Sequence, residues 1–194
     1  MTDDAMRKKW NTKYLQQGPS QWPVAEVLLE NKHLLPEQGR ALDLACGYGA
    51  NARLLAEHGL QTYAWDISNV AIEHIATQAS LHHLDITAEV FDLEHEPLPE
   101  NKFDVIVVAH YLNRAGVQGL IKSLKINGLL FYQTFVENKV TDAGPSSPCF
   151  LLKPNELLRL FSDLQVVVYR EEARIGDLQA GFRDKAMFIG QKKD

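Results

Sequence analysis

Short apolar segments alternate with helical segments between residues 40 and 135, and this alternation most constrains how the chain can fold. The predicted strands are short, apolar and bounded by polar or glycine-containing turns, and they cover residues 41–45, 62–65, 87–91, 103–109 and 129–135. Helical patterns lie between several of them, at residues 51–58, 68–76 and 117–124. A repeated strand–helix order is typical of a parallel sheet with helices on both faces.

The C-terminal part of the chain follows a different pattern. A helix is predicted from Pro154 to Phe161, and strands at 165–169 and 186–189 follow it with no helix between them. Two strands joined in this way pair antiparallel. The sequence therefore predicts an α/β, Rossmann-like fold. It has a seven-stranded, mostly parallel sheet with helices on both faces and a C-terminal antiparallel hairpin.

Residues 1–194 are predicted to form one domain, with a helical lid segment at 1–39 ahead of a cofactor-binding core at 40–194. Trp10, Tyr14 and Trp22 lie in the first segment. Such aromatic residues either cap a hydrophobic core or cover a ligand, and both interpretations stay open.

Charge and composition exclude several classes of protein. Lys and Arg total 20 against 25 Asp and Glu, a net charge of −5, which argues against a nucleic acid as the main partner. No run of 18 apolar residues predicts a membrane span, and the acidic first residues predict no secretory signal. The two cysteines, Cys46 and Cys149, are expected to be free thiols, which favours a cytoplasmic location.

The strongest local motif is Asp43-Leu44-Ala45-Cys46-Gly47-Tyr48-Gly49, at the end of the first predicted strand. Its glycines permit a tight turn and a close approach of ligand to backbone. Gly47 to Ala52 also matches the dinucleotide fingerprint G-x-G-x-x-G/A, which supports a nicotinamide-dependent oxidoreductase as an alternative. Asp43 argues against that alternative, because a carboxylate is unfavourable beside a pyrophosphate and favourable beside a positive centre.

Three acidic residues, Asp43, Asp66 and Asp92, lie at the ends of the first three predicted strands. The carboxyl ends of parallel strands share one edge of the sheet, where ligands bind. Asp66 follows the glycine turn at about the spacing at which an acid reaches ribose hydroxyls. Ile67 would form an apolar wall for an adenine, and Asp92 with the Leu93 amide would hydrogen-bond its edge.

The run from Ala41 to Gly49 resembles the nucleotide-binding motif of class I S-adenosylmethionine-dependent methyltransferases. Trp65-Asp66-Ile67-Ser68, Phe91-Asp92-Leu93 and Phe103-Asp104-Val105-Ile106 resemble the next three motifs, in the expected order. Within the family the chain is most similar to the small bacterial tellurite-resistance and thiopurine-type group. The features that carry this likeness are Trp10-Asn11-Thr12-Lys13-Tyr14 and Pro154-Asn155-Glu156-Leu157-Leu158.

The resemblance implies S-adenosyl-L-methionine as the cofactor. Asp43, Gly47 and Gly49 would then contact its aminocarboxypropyl arm, Asp66 its ribose, and Asp92 and Leu93 its base. The full set of predicted cofactor-binding residues is Asp43, Ala45, Cys46, Gly47, Gly49, Asn51, Asp66, Ile67, Asp92, Leu93 and Ala109. Ala45 replaces the first glycine of the family motif, and we expect a slight shift of the loop without loss of binding.

Residues that follow the fourth and fifth predicted strands are candidates for contact with the methyl acceptor. His110 would act as a base, because an unperturbed imidazole titrates near neutrality, or would be a hydrogen-bonded supporting residue. The predicted substrate contacts are Trp10, Tyr14, Tyr111, Arg114 and Gln133. The long segment at 136–150 is expected to gate the site.

These observations predict methyl transfer to a small-molecule acceptor by in-line displacement. Three alternatives stay open: the oxidoreductase, methylation of RNA or protein, and a cofactor-binding scaffold without activity of its own. The histidines and cysteines lack the spacing of a zinc site, so no metal is predicted. The chain is expected to be a monomer or a homodimer.

Overall fold

The computed structural model describes residues 3–194, and it contains all seven predicted strands. They are β1 (Arg40–Leu44), β2 (Gln61–Asp66), β3 (Ile86–Val90), β4 (Phe103–Ala109), β5 (Leu124–Phe135), β6 (Gln165–Glu171) and β7 (Lys185–Gln191). The strands form one sheet in the order β3-β2-β1-β4-β5-β7-β6.

The pairing confirms the predicted mixture of parallel and antiparallel strands. β1 pairs in parallel with both β2 and β4, and β2–β3 and β4–β5 are also parallel pairs. β7 runs antiparallel to β5 and to β6, which forms one edge of the sheet. The strand order changes direction at β1, so a crevice at the carboxyl ends of β1 and β4 is the expected ligand site of such a sheet.

Six α-helices connect or flank the strands. They are α1 (Asp3–Gln17), α2 (Glu26–Glu30), α3 (Ala50–Glu57), α4 (Asn69–His82), α5 (Val117–Ser123) and α6 (Glu156–Leu160). Within the described part of the chain, no helix combines the length and the apolar character that crossing a bilayer requires.

Two helical segments are shorter than their apolar sequence indicates. Within the predicted helical segment at 1–39, the apolar residues 24–35 form α2 and a separate 3-10 turn (Lys32–Leu34), because the Asn31 side chain donates to the Val27 carbonyl and competes with the helix. The predicted helix from Pro154 begins only at Glu156, since Asn155 adopts a left-handed conformation with φ 59°. The fifth strand, in turn, begins at Leu124, five residues before the predicted start.

The core lies on both faces of the sheet, and alternate residues of the central strands point to opposite faces. Leu42 and Ile106 belong to the cluster that includes residues of α5 and α6. Ala41 and Val105 belong to the cluster that includes residues of α2 and α3. β4 is therefore buried on both sides, as its continuous apolar sequence predicts.

Helix α1 is attached to the rest of the fold through the first turn of α4. Asn11 Nδ2 donates to Asn69 Oδ1 at 2.7 Å, and Ser68 Oγ donates to Asn11 Oδ1 at 2.6 Å. Ser68 is also the N-cap of α4, as predicted, because its Oγ accepts from the Ala71 N–H at 3.3 Å. One serine hydroxyl therefore both begins α4 and holds α1 against it.

Ser68→Ala should lower the free energy of unfolding by about 0.5–2 kcal/mol, because it removes a helix cap and a tertiary hydrogen bond together. Urea unfolding followed by circular dichroism measures this change. The matched control is Thr77→Ala, which removes an exposed hydroxyl of α4 that donates only to the Glu73 carbonyl. The control should change stability by less than about 0.5 kcal/mol, and an equal loss in both variants would contradict the role of Ser68.

Candidate functional site

The turn between β1 and α3 is built from three residues in the left-handed conformation. Ala45 has φ 54°, Gly47 has φ 53° and Gly49 has φ 76°, and the Gly49 N–H donates to the Cys46 carbonyl at 2.9 Å. A Cβ at Gly47 would lie 3.2 Å from the hydroxyl of Tyr14, and a Cβ at Gly49 would lie 2.8 Å from Ile75. Both glycines are therefore required by close neighbours as well as by conformation.

Ala45, which replaces the family's first glycine, adopts the conformation that glycine would take freely. For an L-residue this conformation costs about 1–2 kcal/mol. The loop therefore keeps a glycine-like backbone, and the alanine methyl group is accommodated at the cost of local strain.

Asp43 supports this turn from below. Its side chain is fully buried, Asn51 Nδ2 donates to its Oδ1 at 3.3 Å, and the Ala52 N–H donates to its Oδ2 at 3.0 Å. Asp43 thus accepts from a backbone N–H in the first turn of α3, where the N-cap residue, Gly49, provides no side-chain acceptor. Burial raises the pKa of Asp43 to about 8, against the lowering effect of these two hydrogen bonds.

This environment corrects the expectation that Asp43 presents a negative charge to a ligand. A carboxyl group with a pKa of about 8 is mostly protonated at neutral pH. In the structure Asp43 instead stabilises the turn through its hydrogen bonds with Asn51 and Ala52. Asn51 has the same structural role, because its Oδ1 also accepts from the Ala25 N–H at 2.9 Å and so connects the turn to the start of α2.

Asp66 is the acid that faces the turn directly. It ends β2 and is 4% exposed, and its Oδ2 accepts from the Gly47 N–H at 2.9 Å and from the Tyr14 hydroxyl at 3.3 Å. Its Oδ1 accepts from the Ser68 N–H at 2.9 Å. Burial raises the pKa of Asp66, while these hydrogen bonds lower it.

Asp92 lies two residues beyond β3, as the sequence predicts, but its carboxylate is mainly engaged by its own loop. Its Oδ1 accepts from the Glu94 N–H at 3.0 Å, and its Oδ2 lies 3.1 Å from His95 Nδ1. Leu93 and Tyr111 line a cavity of about 160 Å³ beside the β3–β4 connection. The half-buried Ile67 follows Asp66 directly.

Asp66 and Asp92 follow adjacent strands at the same edge of the sheet. Asp66 pairs with Val90 in the parallel β2–β3 register, and the Phe91 N–H donates to the Asp66 carbonyl at 2.9 Å. Both acids therefore lie at the carboxyl edge, as the sequence predicts. Burial raises the pKa of Tyr111, which follows β4, to about 12.

His110 follows β4 and its conformation is unusual. Its φ is 58°, its N–H donates to the Gln133 carbonyl at 2.8 Å, and its ring centroid lies 5.3 Å from that of Phe135. Desolvation, together with the nearby positive charge of Lys185, lowers the pKa of the imidazole to about 4, although the residue is exposed at the surface. This direction favours the neutral imidazole, and the pKa lies below the near-neutral value expected from the sequence.

Helix α1 covers the turn with aromatic side chains. The ring centroid of Tyr14 lies 5.7 Å from that of Trp10, 5.3 Å from that of Trp22 and 5.2 Å from that of Tyr48. Tyr48 also donates its hydroxyl to the Tyr14 carbonyl at 2.9 Å. Tyr14 is therefore both a core residue and a direct contact of Asp66, so the two interpretations of these aromatic residues are compatible.

Two predicted substrate contacts are fully engaged elsewhere. The Arg114 guanidinium pairs with Glu156 at 2.6 and 3.0 Å and donates to the carbonyls of Cys149 and Leu151. Gln133 is completely buried, where it accepts from the Val27 N–H. The proposed site therefore includes neither of them: Arg114 holds α6 and the segment before it, and Gln133 holds α2.

Sequence reasoning gave no individual role to Asn11, Lys13 or Tyr48. Asn11 fixes α1 to α4, Tyr48 packs on Tyr14, and Lys13 lies between two tryptophan rings. The spacing of Trp10 and Tyr14 indicates an aromatic face on this helix, because residues four positions apart lie on the same side. Among the described residues, no group of three or more His, Cys, Asp or Glu side chains is arranged to hold a metal ion.

Comparison with known proteins agrees with this geometry. Residues 41–128 match the model of the methyltransferase domain family. The chain is 28% identical over 181 residues to the probable S-adenosyl-L-methionine-dependent methyltransferase TehB of Haemophilus influenzae, an alignment that covers 87% of this chain. The chain is thus similar in sequence to S-adenosyl-L-methionine-dependent methyltransferases.

Two solved structures share the fold of this chain over nearly its whole length. The crystal structure of TehB from Haemophilus influenzae matches with a TM-score of 0.68 and 22% identity, covering 96% of this chain and 67% of that one. A structure concerned with conversion of a disulfide bond into a thioacetal group during echinomycin biosynthesis matches with a TM-score of 0.72 and 18% identity. That match covers 97% of this chain and 92% of the other.

These matches confirm the expected likeness to the tellurite-resistance group and the class I fold. The chain spans 57% of the length of the TehB sequence that it matches. S-adenosyl-L-methionine is the cofactor of this family.

The chemistry of the site fits that cofactor. Asp66 already accepts a hydroxyl hydrogen bond from Tyr14, and ribose hydroxyls are donors of the same kind. Asp66, Ile67, Leu93 and the turn would hold the adenosyl group, with Asp43 as support.

The low pKa of His110 leads to a testable dependence of stability on pH. Its pKa is about 4 in the folded state against an ordinary 6.5, so the unfolded state binds more protons between these values. Proton binding by His110 in the unfolded state should therefore lower the free energy of unfolding as the pH falls from 6.5 towards 4. His110→Gln should flatten this part of the stability curve measured by urea unfolding, and an unchanged slope would contradict the lowered pKa.

Proposed function

We propose that this chain transfers a methyl group from S-adenosyl-L-methionine to a small-molecule acceptor by in-line displacement. The observation that carries the proposal is the hydrogen bond from the Gly47 N–H to the buried carboxylate of Asp66. That bond joins the glycine turn of β1 to the acid of β2, and the Tyr14 hydroxyl donates to the same carboxylate.

The cofactor supplies an electrophilic methyl group on a sulfonium. A lone pair of the acceptor forms the new bond to the methyl carbon, the S–C bond breaks, and S-adenosylhomocysteine is the second product. The chain itself has to hold the two reactants in line and exclude water. Such positioning lowers a barrier by about 7–11 kcal/mol.

Helix α1 supports a small acceptor. It lies over the turn through the contacts of Tyr14 with Gly47 and Asp66, and Asn11 fixes it to α4. A nucleic acid or protein acceptor would have to displace these contacts, and the net charge of −5 disfavours a polyanion. A cytoplasmic location and a monomeric or homodimeric state belong to the same proposal.

His110 is placed to orient the acceptor more than to deprotonate it. With a pKa of about 4 the imidazole is neutral at pH 7, and a base this weak takes protons efficiently only from acidic groups. The ring of Phe135 lies beside it, with the ring centroids 5.3 Å apart. A neutral imidazole can donate or accept a hydrogen bond and so hold the nucleophilic atom.

Asp66→Asn should weaken the binding of S-adenosylhomocysteine at least tenfold, because a hydrogen bond to a charged group contributes about 1.5–3 kcal/mol. Isothermal titration calorimetry measures the affinity, and circular dichroism checks that the variant is folded. The matched control is Asp85→Ala, an exposed acid just ahead of β3 at the opposite edge of the sheet, which should bind like the wild type.

The same titration tests the oxidoreductase alternative with NADH as the ligand. Wild-type binding of S-adenosylhomocysteine without binding of NADH supports the proposal. The reverse result would falsify it. Unchanged affinity in Asp66→Asn would remove Asp66 from the site. The scaffold alternative predicts tight S-adenosylhomocysteine binding but no labelled methyl transfer to thiol, oxyanion, amine or nucleobase acceptors.

His110→Ala should lower the turnover number at least tenfold and leave S-adenosylhomocysteine affinity within about twofold, because loss of one positioning contact weakens the transition state by one or two kcal/mol. Steady-state kinetics with radiolabelled cofactor and calorimetry on the same variant give the two values. Equal losses of turnover and of affinity would indicate that His110 supports the fold of the site and does not orient the acceptor.

A further inference from the structure

Lys13 is a half-buried cation on α1, and within the part of the chain that the structure describes no carboxylate lies at ion-pair distance from it. Other cations near the site are already neutralised. Lys185 pairs with Glu26, and Arg114 pairs with Glu156 at 2.6 Å. Lys13, in contrast, has no anionic partner among the described residues.

Two indole rings enclose the Lys13 ammonium. Its Nζ lies 4.6 Å from the ring centroid of Trp10 and 5.1 Å from that of Trp22. Contact with aromatic faces stabilises the cation but does not replace its hydrogen bonds to water. Burial accordingly lowers the pKa of Lys13, and the neighbouring charge of Lys9 lowers it further.

A second polar group beside Lys13 also lacks a partner. The Trp22 Nε1–H is buried and makes no hydrogen bond to any described residue. An unsatisfied buried donor costs about 1–3 kcal/mol. Two donors, one charged and one neutral, therefore lie together with no acceptor between them.

Lys13 lies on α1, the helix whose aromatic side chains cover the glycine turn. The next residue, Tyr14, donates its hydroxyl to Asp66 at 3.3 Å, and its ring packs on Tyr48 of the turn. Lys13 is therefore held beside the residue that covers the candidate cofactor site.

We propose that Lys13, together with the Trp22 indole N–H, binds a carboxylate or another small oxyanion of the molecule that occupies this site. The inference rests on the proposed function, because it takes the site to be the methyl-transfer pocket. The anion has two possible sources. One is the carboxylate of the cofactor's aminocarboxypropyl arm, and the other is an anionic group of the acceptor.

The first experiment compares two ligands that differ in the carboxylate. Calorimetry measures S-adenosylhomocysteine, which carries the arm, and 5′-methylthioadenosine, which lacks it. If the anion is the cofactor's, Lys13→Met weakens S-adenosylhomocysteine about tenfold or more and leaves 5′-methylthioadenosine within about twofold. Lys13→Arg should restore most of the affinity, and Lys9→Met, which removes a neighbouring exposed charge from α1, should bind like the wild type.

The second experiment tests the acceptor as the source. Benzoate and inorganic phosphate are titrated, with and without S-adenosylhomocysteine, while the tryptophan indole N–H resonances are followed by NMR. If the anion is the acceptor's, the Trp22 resonance shifts saturably in the wild type. The shift is lost in Lys13→Met and kept in Lys9→Met.

The inference is overturned if Lys13→Met behaves like the wild type with both adenosyl ligands and the Trp22 resonance of the wild type does not respond to either anion. A wild type that fails to bind S-adenosylhomocysteine would overturn the proposed function instead. The anion titration without S-adenosylhomocysteine still decides the role of Lys13 in that case, so the two failures are distinguishable.

Discussion

The hydrogen bonds of the Asp66 carboxylate connect the glycine turn, α4 and α1. Gly47 donates to it from the turn, Ser68 from the start of α4, and Tyr14 from α1. Ser68 also donates its hydroxyl to Asn11 of α1. Helix α1 is therefore linked to Asp66 directly through Tyr14 and indirectly through Ser68 and Asn11. Asp66 therefore sets the position of the turn, of α4 and of α1 relative to the carboxyl end of β2.

This arrangement brings two acids into one buried region, and the structure offsets their repulsion by different means. Asp43 lies beneath the turn, where burial and the nearby charge of Asp66 raise its pKa to about 8. Asp66 is 4% exposed, and three donors surround its carboxyl group. A ligand hydroxyl would therefore have to share or replace one of these donors, such as the Tyr14 hydroxyl at 3.3 Å.

The order of elements was predictable because hydrophobic periodicity determines which segments are strands and helices, and β4 was predicted at its observed bounds. The three strand-end acids were found for the same reason. The partners of individual side chains in the folded chain could not be predicted from the sequence. Nothing local distinguishes Arg114, which is occupied by Glu156, from a free cation, or shows that Lys13 lies between Trp10 and Trp22. The pKa of His110 depends likewise on neighbours distant in sequence.

A crystal structure of the chain with S-adenosylhomocysteine tests the central claim most directly. The account predicts that the ribose hydroxyls lie within hydrogen-bond distance of Asp66, with the glycine turn against the aminocarboxypropyl arm and the adenine beside Ile67 and Leu93. Density for the ligand away from the carboxyl ends of β1 and β2, or an Asp66 carboxylate that makes no contact with it, would contradict the account.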